Sequence, residues 1–529
     1  MFKKINSLIN NIKKNRIGSL LYFSGVLLIL YNIALASMHL FTQDFSFKMD
    51  IPRDFLLIDN AIQNHKIELI GPKAAGIPGI FFGPIWYWMM TPIFIIGKGD
   101  PTVIGAFWLF LVILLIGITY FIAKKIFGKE VAFISALLIS FNAPTLALGF
   151  TQSFGSLLMS PFIFYSLYKF YISKNVKYFI LAIFLMGITF HLQPAFTLLV
   201  VASSGLFFLY FLIKIKKIHY LLSYLILLIP LSTYIVFELR HKFLMTNAFY
   251  NFLFNHSTAV TKDENLTTSA LLINRIIGFM SGFNFTHIYS NHIMIGILIA
   301  QIFIIYMLFR KKIRIGKEFY IMIYSIFILF WILSFLFKGF VWPYYYWAFL
   351  PIGAIIFSSI WYLINKKLFI ILVSIICIYM LNNIWAPLNN WSNPALFSNP
   401  YADTSSWKLN RDAGKIMFDE SESKFGYFVF SPDEIGLSIK YAIRYWQYRN
   451  TDKTATLCKK METTYLFYYP DDPNSIADSY YWKEERIKIQ KDPVQSFSLG
   501  IVKIEKYTLT PEEIQVAHDP NLLCTLIFR

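Results

Sequence analysis

Charge is what this sequence has least of for its length. Only 15% of its 529 residues are charged, against 57% hydrophobic, which takes the chain outside the soluble range. Cysteine is also scarce, at three. Cys377 falls inside a late apolar run, while Cys458 and Cys524 fall in the polar C-terminal region, a spacing that resembles no metal site. Whether those two pair is left open, and pairing requires that region to be extracytoplasmic. Acids number 30 against 48 Lys and Arg, leaving a net charge of +18. The excess sits in loops between apolar runs, so positive-inside topology accounts for it and nucleic acid is not an expected partner. The apolar runs hold no chain of acids and show no duplicated halves, which argues against a secondary transporter or proton pump.

What is present is a series of apolar runs near twenty residues separated by short basic knots, the pattern of a polytopic helical membrane protein. The N-terminal basic segment (Lys3, Lys4, Lys13, Lys14, Arg16) is assigned to the cytoplasm. The run after it is long, lacks a small-residue cleavage motif and precedes further spans, so it reads as a first span, Ile17–Leu40, rather than a signal peptide. The segment Ile77–Ile96 decides the parity of the rest. If it crossed, Lys124, Lys125 and Lys129 would land outside, and the later knots would be misplaced. With Gly79, Gly83, Pro84 and Pro92 beside Trp86, Tyr87 and Trp88, it suits an interfacial, non-spanning helix. About eleven crossings follow. They include Val131–Leu148, Tyr178–Phe190 and Tyr220–Phe237, and they place the C-terminal region outside.

From about Pro387 the long apolar runs stop. Gly426–Phe430, Thr464–Tyr469 and Leu499–Tyr507 read as strands, and Pro432–Tyr448 as an amphipathic helix capped by Ser431. The expected division is therefore a membrane module over 1–386 and a small extracytoplasmic α/β domain over 387–529, the latter with no phosphate loop, zinc ligand set or Ser-His-Asp pattern.

The densest acid-base cluster near any apolar segment is Asp50, Arg53, Asp54 and Asp59 in the loop after the first span. Asp50, Arg53 and Asp54 stand at i, i+3 and i+4, so a helix gathers them on one face, with Pro52 tolerated in its first turn. Two readings stand. The triple is either a solvated helix start with a local ion pair, or a carboxylate to take an acceptor's proton beside a cation for a departing phosphate. Lys73, in the Gly-Pro-Lys turn, is a second phosphate candidate. His191, at an outer span end, is either a hydrogen-bonded interfacial histidine or a substrate contact. Lys338 is either a snorkelling lysine or a further contact at the outer face.

Asp50-x-x-Arg53-Asp54, then Leu69-Ile70-Gly71-Pro72, Gly83-Pro84-Ile85-Trp86-Tyr87 and Gly99-Asp100-Pro101 resemble the C-type glycosyltransferase superfamily. The likeness is to its bacterial protein O-mannosyltransferase and aminoarabinose–lipid A transferase-like members. Trp342-Pro343-Tyr344-Tyr345-Tyr346 is similar to an aromatic external turn of relatives. The resemblance implies transfer of a sugar from a polyprenyl-phosphate donor to an acceptor hydroxyl at the extracytoplasmic face, with inversion. It further implies Asp50 as base with Asp54 as its substitute, and Arg53 and Lys73 on phosphate. Trp86 and Tyr87 would line the lipid entrance, with His191, Lys338 and Tyr345 as further substrate contacts. There are departures: only Gln152-Ser153-Phe154 stands where many relatives carry a charged or Trp-Asn-Pro element, and the Asp-x-Asp of metal-dependent oligosaccharyltransferases is missing. Neither a metal nor a cofactor beyond the lipid-linked donor is therefore expected. The acceptor (protein, lipid or glycan) is left open. The rival reading is a lipid-linked polysaccharide exporter or polymerase, or a non-catalytic scaffold.

Overall fold

A computed structural model describes residues 2–48, 50–74, 79–148, 152–251, 266–286, 291–337, 339–341, 343–389, 399–431, 435–470 and 478–526. The first half comprises α1 (Phe2–Thr42), α2 (Asp50–Gln63), α3 (Ile85–Ile96), α4 (Pro101–Phe127), α5 (Lys129–Ser140), α6 (Ala143–Leu148), α7 (Phe154–Ser173), α8 (Val176–Leu192) and α9 (Pro194–Lys214). There follow α10 (Ser232–Arg240), α11 (Leu244–Tyr250), α12 (Thr268–Ser281), α13 (Asn291–Phe309), α14 (Lys317–Ser334), α15 (Leu350–Ser358) and α16 (Lys366–Asn389). α4 packs on α5, α7 on α8 and α9 on α14.

Among the described residues, five stretches are long and apolar enough to cross a bilayer: Gly18–Thr42, Pro101–Phe127, Pro194–Lys214, Lys317–Ser334 and Tyr345–Tyr362. A sixth exists only as a broken pair, Ile218–Leu228 with Ser232–Arg240, bent by 63°. The crossings expected from hydropathy are thus not all unbroken helices. The Val131–Leu148 run splits between α5 and α6, where the Asn142 amide donates to Ile139 O at 3.2 Å and to Phe285 O at 3.0 Å. Pro144, lacking an N–H, stands in the first turn of α6. Pro230 sits at the other break.

α3 has 12 residues, about 18 Å of helix, too short for a hydrocarbon core of about 30 Å. It buries Trp86, Tyr87, Met90 and Phe94 and exposes Trp88, Ile95 and Ile96, so one face meets protein and the other is apolar and open, as in a helix lying along a membrane surface.

The C-terminal part carries α17 (Trp407–Asp419) and α18 (Leu437–Arg449). They pack together beside a five-stranded sheet formed by β1 (Lys424–Phe430), β2 (Thr454–Leu457), β3 (Thr463–Tyr468), β4 (Gln495–Leu499) and β5 (Val502–Thr508). The strand order is β2-β1-β3-β5-β4. β1 runs parallel to β2 and β3, and β5 antiparallel to β3 and β4. α18 starts after Gly436, at φ 56°, and not at Ser431. A left-handed residue ends the preceding segment there, a conformation that glycine adopts without cost; residues 432–434 of the expected helix lie outside the described residues. Cys458 and Cys524 form a disulfide, with Cα atoms 5.6 Å apart.

This domain is fastened to the end of the bundle where α1 stops and α4 starts. Phe47 N donates to Ser405 O at 2.6 Å, and Trp407 N to Phe45 O at 3.1 Å. Asp44 Oδ1 accepts from Ser406 Oγ at 2.9 Å and from Lys408 N at 3.0 Å. The rings of Phe47, Phe55, Trp407 and Tyr441 meet between the two parts.

Candidate active site

α2 begins with Asp50, an acid that complements the positive end of the helix dipole. Arg53 lies between two carboxylates, with Nη1 2.6 Å from Asp50 Oδ1 and Nη2 2.8 Å from Asp54 Oδ1; Nε adds a bond to Asp54 Oδ1 at 3.1 Å. The two acids differ in access. The Asp50 side chain is 47% exposed and that of Asp54 6%. Burial pushes the Asp54 carboxyl up to about 6, with Arg53 pulling against it. Burial works against the Arg53 charge, but Asp54, Tyr87 and Asp50 outweigh it and hold the guanidinium protonated.

Tyr87 joins this group from α3, its phenol donating to Asp54 Oδ1 at 2.8 Å. Burial first, then Asp54, raises the Tyr87 pKa well above the ordinary phenol value, so it serves as a neutral donor. Beside Tyr87 a cavity of about 650 Å³ opens between α2 and α3, lined by Leu57, Ile58, Ile62, Ile70 and Trp88 and rimmed by His65, Lys66 and Glu68. Trp86 is buried on the protein side of α3. Lys73 is exposed and pairs through its backbone with Phe81, on the return towards α3.

His191 ends α8 and is fully buried. Its Nε2 lies 2.7 Å from Pro230 O, and its own carbonyl accepts from Gly83 N at 3.1 Å. It thus fastens the segment leading into α3. Near it, the buried side chain of Gln193 has neither amide atom hydrogen-bonded.

Asp50, Arg53, Asp54 and Tyr87 therefore share one bonded network, and His191 supports the backbone just before Tyr87. Tyr345 is half-buried in the turn Pro343–Phe349, a different cluster whose Tyr346 packs against Gly278. Lys338 lies outside the described residues. Arg275 of α12 is buried and donates to the carbonyls of Ser334 at 3.2 Å and Gly339 at 3.0 Å, so it closes the turn after α14. Sequence reasoning missed Arg444, which pairs with Asp59 at 2.7 Å; the only available signal was its place on the amphipathic C-terminal helix. Among the described residues, no group of three or more His, Cys, Asp or Glu is placed to hold a metal.

ArnT from Cupriavidus metallidurans bound to undecaprenyl phosphate superposes with a TM-score of 0.52 at 11% identity, over 94% of this chain and 99% of that one. Its apo form gives 0.53 at 11% identity, over 93% and 98%. The family model for dolichyl-phosphate-mannose-protein mannosyltransferase matches residues 82–237. The chain has the C-type glycosyltransferase fold. With its apolar helices, that fold makes it an integral membrane protein. The archaeal oligosaccharyltransferase AglB from Archaeoglobus fulgidus, in complex with an inhibitory peptide and a dolichol-phosphate, aligns more loosely. It gives a TM-score of 0.42 at 14% identity, over 84% of this chain and 69% of that one. No curated protein matches the chain. Within that fold the matched family segment runs from just before α3 into α10, so it contains Tyr87 and His191 but not α2.

Proposed function

We propose that the chain is a membrane glycosyltransferase that moves a sugar from a polyprenyl-phosphate donor to an acceptor hydroxyl at the extracytoplasmic face, with inversion and without a metal. The observation that carries this reading is the Asp50–Arg53–Asp54–Tyr87 network, whose Tyr87 also lines an apolar cavity between two short helices. An accessible carboxylate and a cation, tied through Asp54 and Tyr87 to the helix that lines the groove, are the parts that transfer from a lipid phosphate requires. The resemblance of Asp50-x-x-Arg53-Asp54 and the undecaprenyl phosphate bound by ArnT support the same donor class. The Cys458–Cys524 disulfide supports an oxidising, extracytoplasmic side for the sheet domain.

In this mechanism Asp50, the exposed acid, removes the proton from the acceptor hydroxyl. The freed oxygen attacks the anomeric carbon from the face opposite the phosphate. The bond from that carbon to the phosphate oxygen breaks, and the lipid monophosphate leaves, its charge balanced by Arg53 and Lys73. Buried Asp54 and the Tyr87 phenol hold Arg53 in place. The lipid chain lies in the groove lined by Leu57, Ile62 and Trp88. Radiolabel transfer from a defined set of polyprenyl-phosphate sugars into membrane fractions tests the reading. Transfer should occur with the natural chain and vanish with Asp50→Asn at unchanged expression; near-normal turnover in that variant removes the assigned base.

A further inference from the structure

α2 carries a second polar pair on the side away from Asp50. Nine residues at about 100° each put Asp59 roughly half a turn round the helix from Asp50. Gln63 follows one turn later on the same side. α18 answers with the same spacing, Arg444 and Tyr448. Arg444 Nε donates to Asp59 Oδ2 at 2.7 Å, and Gln63 Nε2 to Tyr448 Oη at 2.8 Å. The Arg444 guanidinium carbon lies 5.4 Å from the centre of the Tyr448 ring. The Asp59 side chain is only 6% exposed, and a carboxylate so buried cannot lose its cation cheaply.

α18 is itself held on its other contacts. Tyr441 Oη donates to Gly99 O at 2.5 Å, and Tyr445 Oη to Asp100 Oδ2 at 3.2 Å. Asp100 is the cap of α4, accepting from Thr102 N at 2.8 Å. One helix of the sheet domain therefore grips both α2 and the start of a spanning helix. The rotation of α2 about its own axis, which decides where Asp50 and Arg53 point, is set against the bundle through Arg444 and Asp59.

We infer that Arg444 is a positioning residue, acting through Asp59 to aim the Asp50–Arg53 face of α2, and that the sheet domain is by this route part of the transfer machinery. The activity arm rests on the function proposed above; the structural arm does not. A misplacement of about 1 Å costs on the order of a hundredfold in rate, so a loosened α2 is visible in turnover.

The test uses the full-length chain and four variants. Arg444→Gln removes the cation and Arg444→Lys keeps it. Arg486→Gln breaks a comparable ion pair, Arg486–Asp519 at 2.9 Å, elsewhere in the same domain. Leu56→Cys, at a buried position on α2, reports opening of that helix through its rate of maleimide labelling. With polyprenyl-phosphate radiolabelled mannose as donor, Arg444→Gln should lower the transfer rate per folded molecule about tenfold or more. Arg444→Lys should recover most of it, and Arg486→Gln should match the natural chain. Labelling at Leu56→Cys should speed up about tenfold with Arg444→Gln and stay unchanged with Arg486→Gln. Equal losses in Arg444→Gln and Arg486→Gln, or unchanged labelling, overturn the inference. If the natural chain transfers no sugar, the proposed function fails and the labelling alone decides the role of Arg444.

Discussion

The Tyr87 phenol and the Asp54 carboxylate, 33 residues apart, meet at 2.8 Å on the same oxygen that Arg53 reaches through two nitrogens. This contact ties the helix carrying the acids to the helix lining the cavity. Tyr87→Phe deletes one donor to a buried, charged acceptor, and the expected cost is about 1.5–3 kcal/mol. Thermal unfolding in detergent measures it; an unchanged midpoint would mean that the phenol contributes nothing to holding Asp54.

Arg53→Ala leaves Asp54 buried without its cation, a change worth about 3–5 kcal/mol of destabilisation. Removing both partners in Arg53→Ala with Asp54→Ala should cost less than the single change, because the stranded carboxylate is gone. In transfer assays Arg53→Ala should weaken use of donor more than use of acceptor. Equal losses on the two substrates count against a phosphate role.

The pH dependence of stability follows from the buried acids. Burial lifts Asp54 from 3.8 to about 6, and it also raises Asp44 and Asp59. A carboxyl with a higher pKa folded than unfolded binds more protons in the folded state. Its contribution is therefore most favourable at low pH and is lost as pH climbs through the window from about 4 to about 6. The unfolding midpoint of the natural chain, taken relative to Asp54→Asn, should fall across that window and level off above it. A difference that rises with pH would reverse the sign and refute the burial argument.

A Cβ on Gly83 would come 1.9 Å from His191 Nδ1, and His191 cannot recede without giving up its contact with Pro230 O. Gly83→Ala should cost about 1–3 kcal/mol through overpacking. Combining it with His191→Ala should recover part of that loss in the same unfolding measurement. No recovery would place the strain elsewhere.

The local parts of the site were legible because they obey helical spacing: Asp50, Arg53 and Asp54 need only one turn of α2 to meet. The strands around Tyr427 and Tyr465 were legible as short aromatic apolar runs, whereas the expected strand Leu499–Tyr507 crosses the left-handed turn at Gly500 that separates β4 from β5. Contacts between distant segments were not, since periodicity carries no information about which helix packs on which. Tyr87 reaches Asp54 and Arg444 reaches Asp59 only once the fold brings them together. The breaks at Asn142 and Pro230 were hidden for another reason: hydropathy averaged over a span-length window smooths over one polar or imino residue. The start of α18 was misplaced because the left-handed turn at Gly436 competes with a plausible capping sequence at Ser431.

The hydrogen bond between Ser406 and Asp44 closes a loop of 362 residues. At synthesis rates of about 5–20 residues per second, roughly 20–70 s separate the emergence of its two ends. During that interval α2 has left the ribosome, but the arginine that anchors its rear face has not been made. A nascent chain at this stage carries Asp59 without its cation, so α2 is fixed against the sheet domain only after Arg444 has been made. Assembly of this network is thereby timed to the end of synthesis.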